Sequence, residues 1–146
     1  MSAFRFPLEP LLKLRRTEEE RTQRAVALIE RERAEIEERI RTQQSHIHEG
    51  KESLRSSLVG QLDVAQLRQQ AASSMQVSRK THQLVIRLAG VHQRLAKARA
   101  TLVEAMRARR AIEILREKRF EEWRAEQGRR EIRELDDLSQ RKDRLI

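Results

Sequence analysis

Apolar residues recur along this chain at alternating spacings of four and three. Leu84, Leu88, Val91, Leu95, Ala98, Leu102 and Ala105 occupy seven consecutive a/d positions of a heptad, and Ile112 extends the series. Earlier, with Leu8 at d and Leu12 at a, eight of fourteen such positions are apolar: Leu8, Leu12, Val26, Ile29, Ile36, Ile40, Ile47 and Leu54. Arg15, Glu19, Arg33 and Gln43 are among the interruptions. A 3.5-residue period keeps one seam turned toward a partner helix, which is the coiled-coil arrangement. Ordinary amphipathic helices packed in a bundle are the competing reading of the same pattern.

Two seams require one turn between them. Gly and Pro are the strongest punctuation of helices, and the chain has four Gly and two Pro in 146 residues. Pro7 and Pro10 lie where a first helical turn tolerates a missing N–H. Gly50, Gly90 and Gly128 stand alone, whereas Ser56-Ser57-Leu58-Val59-Gly60-Gln61-Leu62-Asp63 reads as a break. Asp63 is a good N-cap, and Gln66 three residues on completes a capping-box pattern. The expectation is helix 1 over about 7–56, a turn at about 57–63 and helix 2 over about 64–140, in a single coiled-coil domain across 1–146. Ala71-Ala72-Ser73-Ser74 is a second, weaker candidate break. Helices joined by a short turn lie antiparallel. The fold expected is therefore all-α, a long antiparallel two-helix coiled coil, or helical hairpin.

A turn near residue 60 sets residue n roughly opposite residue 122 minus n. On that register the acidic stretch 18–38, with eight Glu against four Arg, faces 84–104, where Arg87, Arg94, Lys97 and Arg99 outnumber Glu104. Opposite charges flanking one seam are what e/g pairing requires. The same register gathers the aromatics Phe4, Phe6, Phe120 and Trp123 at the open end. Residues after about 124 then overhang as one helix carrying Ile132, Leu135 and Leu138, about 33 Å long if helical throughout.

Three Phe, one Trp and no Tyr cannot fill a globular core. Without Cys there is no disulfide framework, thiolate metal site or Cys nucleophile. His46, His48, His82 and His92 read as solvated surface histidines, and neither catalytic residues nor metal ligands are assigned. There is no Gly-rich phosphate loop, no Ser/His/Asp arrangement and no HExxH. Glu37-Glu38 and Asp136-Asp137 read as solvated helix surface. No enzymatic activity, cofactor or small-molecule substrate is expected. No signal peptide is evident and no run of 18 apolar residues occurs, so a cytoplasmic location is expected.

The net charge of +9 is unevenly placed. Residues 1–50 are neutral overall, 51–100 carry +7 and 101–146 carry +2. Part of the central surplus balances the acidic stretch of helix 1, leaving a residual positive field near Arg68, Arg79 and Lys80. A nucleic-acid or membrane surface is the more distant alternative function. The absence of interleaved aromatics argues against single-stranded nucleic acid.

The opening Phe4-Arg5-Phe6-Pro7-Leu8-Glu9-Pro10-Leu11-Leu12-Lys13-Leu14-Arg15 resembles the F-x-F-x-L-E-x-L-L-x-L-R start of flagellar FliJ proteins. Arg110, Glu113, Trp123 and Glu134-Leu135-Asp136-Asp137-Leu138 followed by Arg141 are similar to that family's C-terminal pattern. The resemblance covers nearly the whole length. It implies a type III export component, a stalk whose paired termini enter the pore of the hexameric export ATPase. It further implies contact with the cytoplasmic domain of the membrane export gate, escort of substrate chaperones, and peripheral association with the inner-membrane export apparatus. Carried onto this chain, the ATPase-pore contact is Leu8, Leu11, Leu12, Arg15, Arg16, Arg129, Arg130 and Arg133. The gate contact is early in helix 2, at Leu67, Met75 and Val77, in a window that lacks the aromatic residue the family often shows there. The equivalent stalk of a virulence-type secretion system is the nearer alternative.

Overall fold

The computed structural model describes residues 3–143, and the ends of the expected 1–146 domain lie outside the described residues. Two helices account for nearly all of it, α1 over Glu9–Ser57 and α2 over Val64–Asp143, of 49 and 80 residues. No strand occurs among the described residues. The fold is all-α, a helical hairpin of two long helices that pack against each other.

Local chemistry sets the helix ends. Phe6 precedes Pro7, which disfavours the helical region for it, and residues 3–6 are non-helical. The Phe6 carbonyl accepts the Glu9 N–H at 3.2 Å and the Leu8 carbonyl accepts that of Leu12 at 2.9 Å. α1 closes with the Ser56 and Ser57 hydroxyls donating back to the Glu52 and Ser53 carbonyls at 3.1 and 2.6 Å. Gly60 then takes φ +110°, a conformation that a side chain would strain. Asp63 Oδ1 accepts the Ala65 N–H at 3.0 Å, as an N-cap should. Gln66 does not return the second bond of a capping box among the described residues. α2 runs without interruption through 71–74, where alanines favour the helix and outweigh the two serines.

The described chain divides into two compact units. Thr22–Leu102 forms one of them; the described residues through Arg21, with those from Val103 onward, form the other. In the Thr22–Leu102 unit the buried side chains are Val26, Ile36, Val91 and Leu95. Half-buried Ile29, Ile40, Ile47 and Leu54 continue the seam on α1, and Val77, Leu84, Leu88 and Ala98 continue it on α2. In the other unit Phe6 and Leu12 are buried, with Leu11, Ala105, Ile112 and Leu115 half-buried.

Cross-helix ion pairs report the register. Arg94 pairs with Glu32 and Arg99 with Glu30 at 3.0 Å in the Thr22–Leu102 unit. Arg109 pairs with Glu19 and Arg116 with Glu9 at 3.1 Å in the other. The simple facing rule would set these four glutamates opposite residues 90, 92, 103 and 113. Each arginine lies beyond its mark, toward the C-terminus, and the reason is geometric. Helical side chains lean toward their own N-terminus. In an antiparallel pair both partners therefore lean toward lower numbers, and the tips meet where the summed residue number exceeds that of the facing backbones.

With so few buried side chains, each carries a large share of the stability. Leu95→Ala should cost about 2–3 kcal/mol, near the low end for a core leucine because one side of the cavity is close to solvent. Ile86→Ala, at a side chain 68% exposed, should stay within about 0.5 kcal/mol. Urea unfolding of both variants tests this, and equal costs would contradict the seam described.

Candidate functional site

The non-helical start of the chain lies against α2. Phe120 and Trp123, three residues apart, share a helix face and stack at 5.8 Å between ring centroids with an interplanar angle of 28°. Phe4 meets Phe120 edge-on at 5.2 Å and 80°, and meets Trp123 at 5.8 Å and 54°. Phe6 is buried but makes no ring pair with the other three among the described residues. It joins Phe4, Leu8, Leu115 and Trp123 in lining a groove edged by Arg5, Arg119 and Glu122.

Behind the rings lies a charge network. Glu19 is the one charged residue among the described ones that is buried, at 8% exposure. It accepts a hydrogen bond from Arg109 Nε, and Arg109 Nη1 donates to Glu113 at 2.7 Å. Arg16 approaches Glu113 at 3.6 Å. Arg110 bridges Glu113 and Glu117 at 3.4 and 3.1 Å. The hydrogen bond from Arg109, aided by the neighbouring guanidinium charges, holds the Glu113 carboxyl below the usual glutamate range, although partial desolvation opposes it. Arg109 and Arg110 are pushed up in turn by the hydrogen bonds they donate to their glutamate partners. Read one helix at a time, Glu19 and Arg109 are each an interruption of an apolar seam. Their complementarity becomes visible only when both seams are aligned.

The proposed contact residues fall into separate groups. Leu12 is fully buried, so its part is to support the surface rather than to form it. Leu8 is exposed and Leu11 half-buried. Arg15 pairs with Glu18 at 3.1 Å, while Arg16 belongs to the network above. Arg129 and Arg130 pair with Glu126, at 2.9 and 3.6 Å, and Arg133 is exposed. No hydrogen bond or ion pair joins these three arginines to the residues around Leu8 among the described residues. In the Thr22–Leu102 unit, Leu67 and Val77 line an open groove of about 530 Å³ with Ile47, Leu54, Ala71 and Ser74. Met75 is exposed beside that region. Among the described residues no group of three or more His, Asp or Glu is arranged to hold a metal ion. No helix of the described residues is long and apolar enough to cross a membrane.

An all-α hairpin with a charged interruption in its seam and aromatic residues at the start of the chain defines a two-helix coiled-coil protein. The chain belongs to the FliJ family: the family profile described as flagellar FliJ protein matches residues 4–144 of its 146. No individual characterised protein and no solved structure matches it. Membership places the chain among flagellar-type export components, with partners in the export apparatus.

Two consequences can be measured. A carboxyl whose folded pKa is depressed stabilises the fold above its unfolded pKa, and this contribution is lost as pH falls through the folded value. Melting temperature should therefore drop on acidification through and below pH about 4.3, and Glu113→Gln should be less stable at neutral pH with a shallower acid dependence. An acid limb of unchanged slope in that variant would remove Glu113 from the account. Separately, Trp123→Ala should lose about 0.5–1.5 kcal/mol beyond the buried area. Unchanged melting, together with tryptophan fluorescence already solvent-exposed in the wild type, would show that the cluster contributes nothing.

Proposed function

We propose that this chain is a non-enzymatic central stalk of flagellar type III protein export, binding the hexameric export ATPase and coupling it to the cytoplasmic part of the membrane export gate. The observation that supports this reading most directly is the exposed continuation of α2. Every residue from Arg129 to Lys142 is exposed, and Ile132, Leu135 and Leu138 are each at least 60% so. An amphipathic helix of this kind, rich in arginine, is suited to a complementary protein surface. In this reading Arg129, Arg130 and Arg133 join Leu8, Leu11, Arg15 and Arg16 at the ATPase ring, with Leu12 packed beneath them. Leu67, Met75 and Val77 serve the gate, where the groove between Ile47 and Val77 offers apolar surface. Escort of substrate chaperones, and a cytoplasmic location at the periphery of the inner membrane, accompany the role.

The test pairs the purified chain with its cognate export ATPase. Co-elution, promotion of hexamers and faster ATP turnover are expected. The charge reversal Arg129→Glu with Arg133→Glu should weaken association at least about tenfold, since each charged contact is worth roughly 1.5–3 kcal/mol. No co-elution and no rate change at stoichiometric mixing would end the stalk reading.

A further inference from the structure

Within the Thr22–Leu102 unit, two cations meet carboxylates across the helices: Arg94 with Glu32, and Arg99 with Glu30. A different arrangement gathers three cations in one place. Arg39 from α1, with Lys80 and Arg87 from α2, lines a single open groove of about 360 Å³. The other lining residues are Thr42, Gln43, Gln83 and Leu84, so no carboxylate is present. None of the three cations makes an ion pair with a described residue. Of the glutamates near Arg39 along α1, Glu38 accepts two hydrogen bonds from Arg41 at 2.9 and 2.7 Å and Glu37 lies 3.9 Å from Arg33, while Glu35, one turn before Arg39, is exposed and makes no ion pair with a described residue.

We propose that this groove binds condensed phosphate, that is, adjacent phosphoryl groups carried by an inorganic polyphosphate or by a nucleotide. The inference is independent of the stalk reading. Three like charges lining one groove repel each other, and no ion pair with a described residue offsets that repulsion, whereas an anion would. The opening itself has a sequence cause. Gln43 takes a seam position where an apolar knob would close over Leu84, so the seam is left partly open with amide and hydroxyl donors around it. Two arginines can each grip a phosphoryl group with paired N–H donors, and the lysine adds a compact point charge. Thr42, Gln43 and Gln83 supply neutral donors to the remaining oxygens.

Charge density favours condensed phosphate over an acidic peptide. An extended peptide advances about 3.3 Å per residue with alternate side chains on opposite faces, so it sets few carboxylates into a groove of this size. Adjacent phosphoryl groups bring several negative charges into the same space. The site is open to solvent, so binding should weaken as salt rises.

The experiment is calorimetric titration of the full-length protein with sodium tripolyphosphate, with ATP lacking magnesium and with hexaglutamate, at two salt concentrations. Saturable one-to-one binding of tripolyphosphate is expected. Arg39→Gln and Arg87→Gln should each weaken it about tenfold, the worth of one charged contact. Lys51→Gln and Arg68→Gln, which remove the same charge outside the groove, should change it less than about twofold. Comparison of tripolyphosphate with ATP identifies the source, and either order supports the site. The charge reversal Arg39→Glu should abolish tripolyphosphate binding. Equal loss in the control variants would reduce the effect to diffuse attraction and overturn the proposal. So would hexaglutamate binding as tightly as tripolyphosphate, or no saturable binding at all.

Discussion

Everything in this protein depends on one narrow seam between two helices. Each helix can bury a single stripe, and only six apolar side chains are buried among the described residues. Stability is consequently shared among few contacts, and whatever interrupts the stripe has disproportionate weight. α1 shows three kinds of interruption. Glu19 meets Arg109 from α2 and becomes the buried anchor of a charge network. Arg33 lies 3.9 Å from Glu37, beyond hydrogen-bond reach, and its buried Nε has no hydrogen-bond partner. Gln43 and Leu84 line an open groove. The same kind of departure from the heptad gives a lock, an unsatisfied donor or a cleft, according to what the partner helix presents.

That dependence on the partner explains what could be read in advance. The helices, their antiparallel pairing and the turn around Gly60 follow from period and punctuation, both local properties of the chain. The N-cap at Asp63 was legible for the same reason. The network around Glu19 was not, because Glu19 and Arg109 each look like defects until the two seams are laid side by side. The offset of the ion pairs was hidden too. A facing rule counts backbone positions, whereas Arg99 and Glu30 meet at tips that both lean toward their own N-termini.

The charge pattern is sharpened in the same way. The surplus of +7 over residues 51–100 is partly consumed by the acidic stretch of α1, through Arg94 and Arg99. Around Arg68, Arg79 and Lys80, where residual positive charge was expected, Lys80 also shares a groove with Arg87 and with Arg39 of the other helix. Counting charge along the chain finds the neighbourhood. Only pairing the helices shows which cations are left over.

The end of α2 follows from the same argument carried to its limit. Beyond Arg129 no described residue is buried, and side-chain ion pairs run from Glu126 to Arg129 and Arg130. Pairs of that spacing contribute about 0.2–0.5 kcal/mol each. Such pairs cannot hold several helical turns against the conformational entropy of the chain. Ile132, Leu135 and Leu138 lie exposed on those turns, so covering them would supply what the missing partner helix does not. A surface that covered them would therefore stabilise this segment by binding its ordered form.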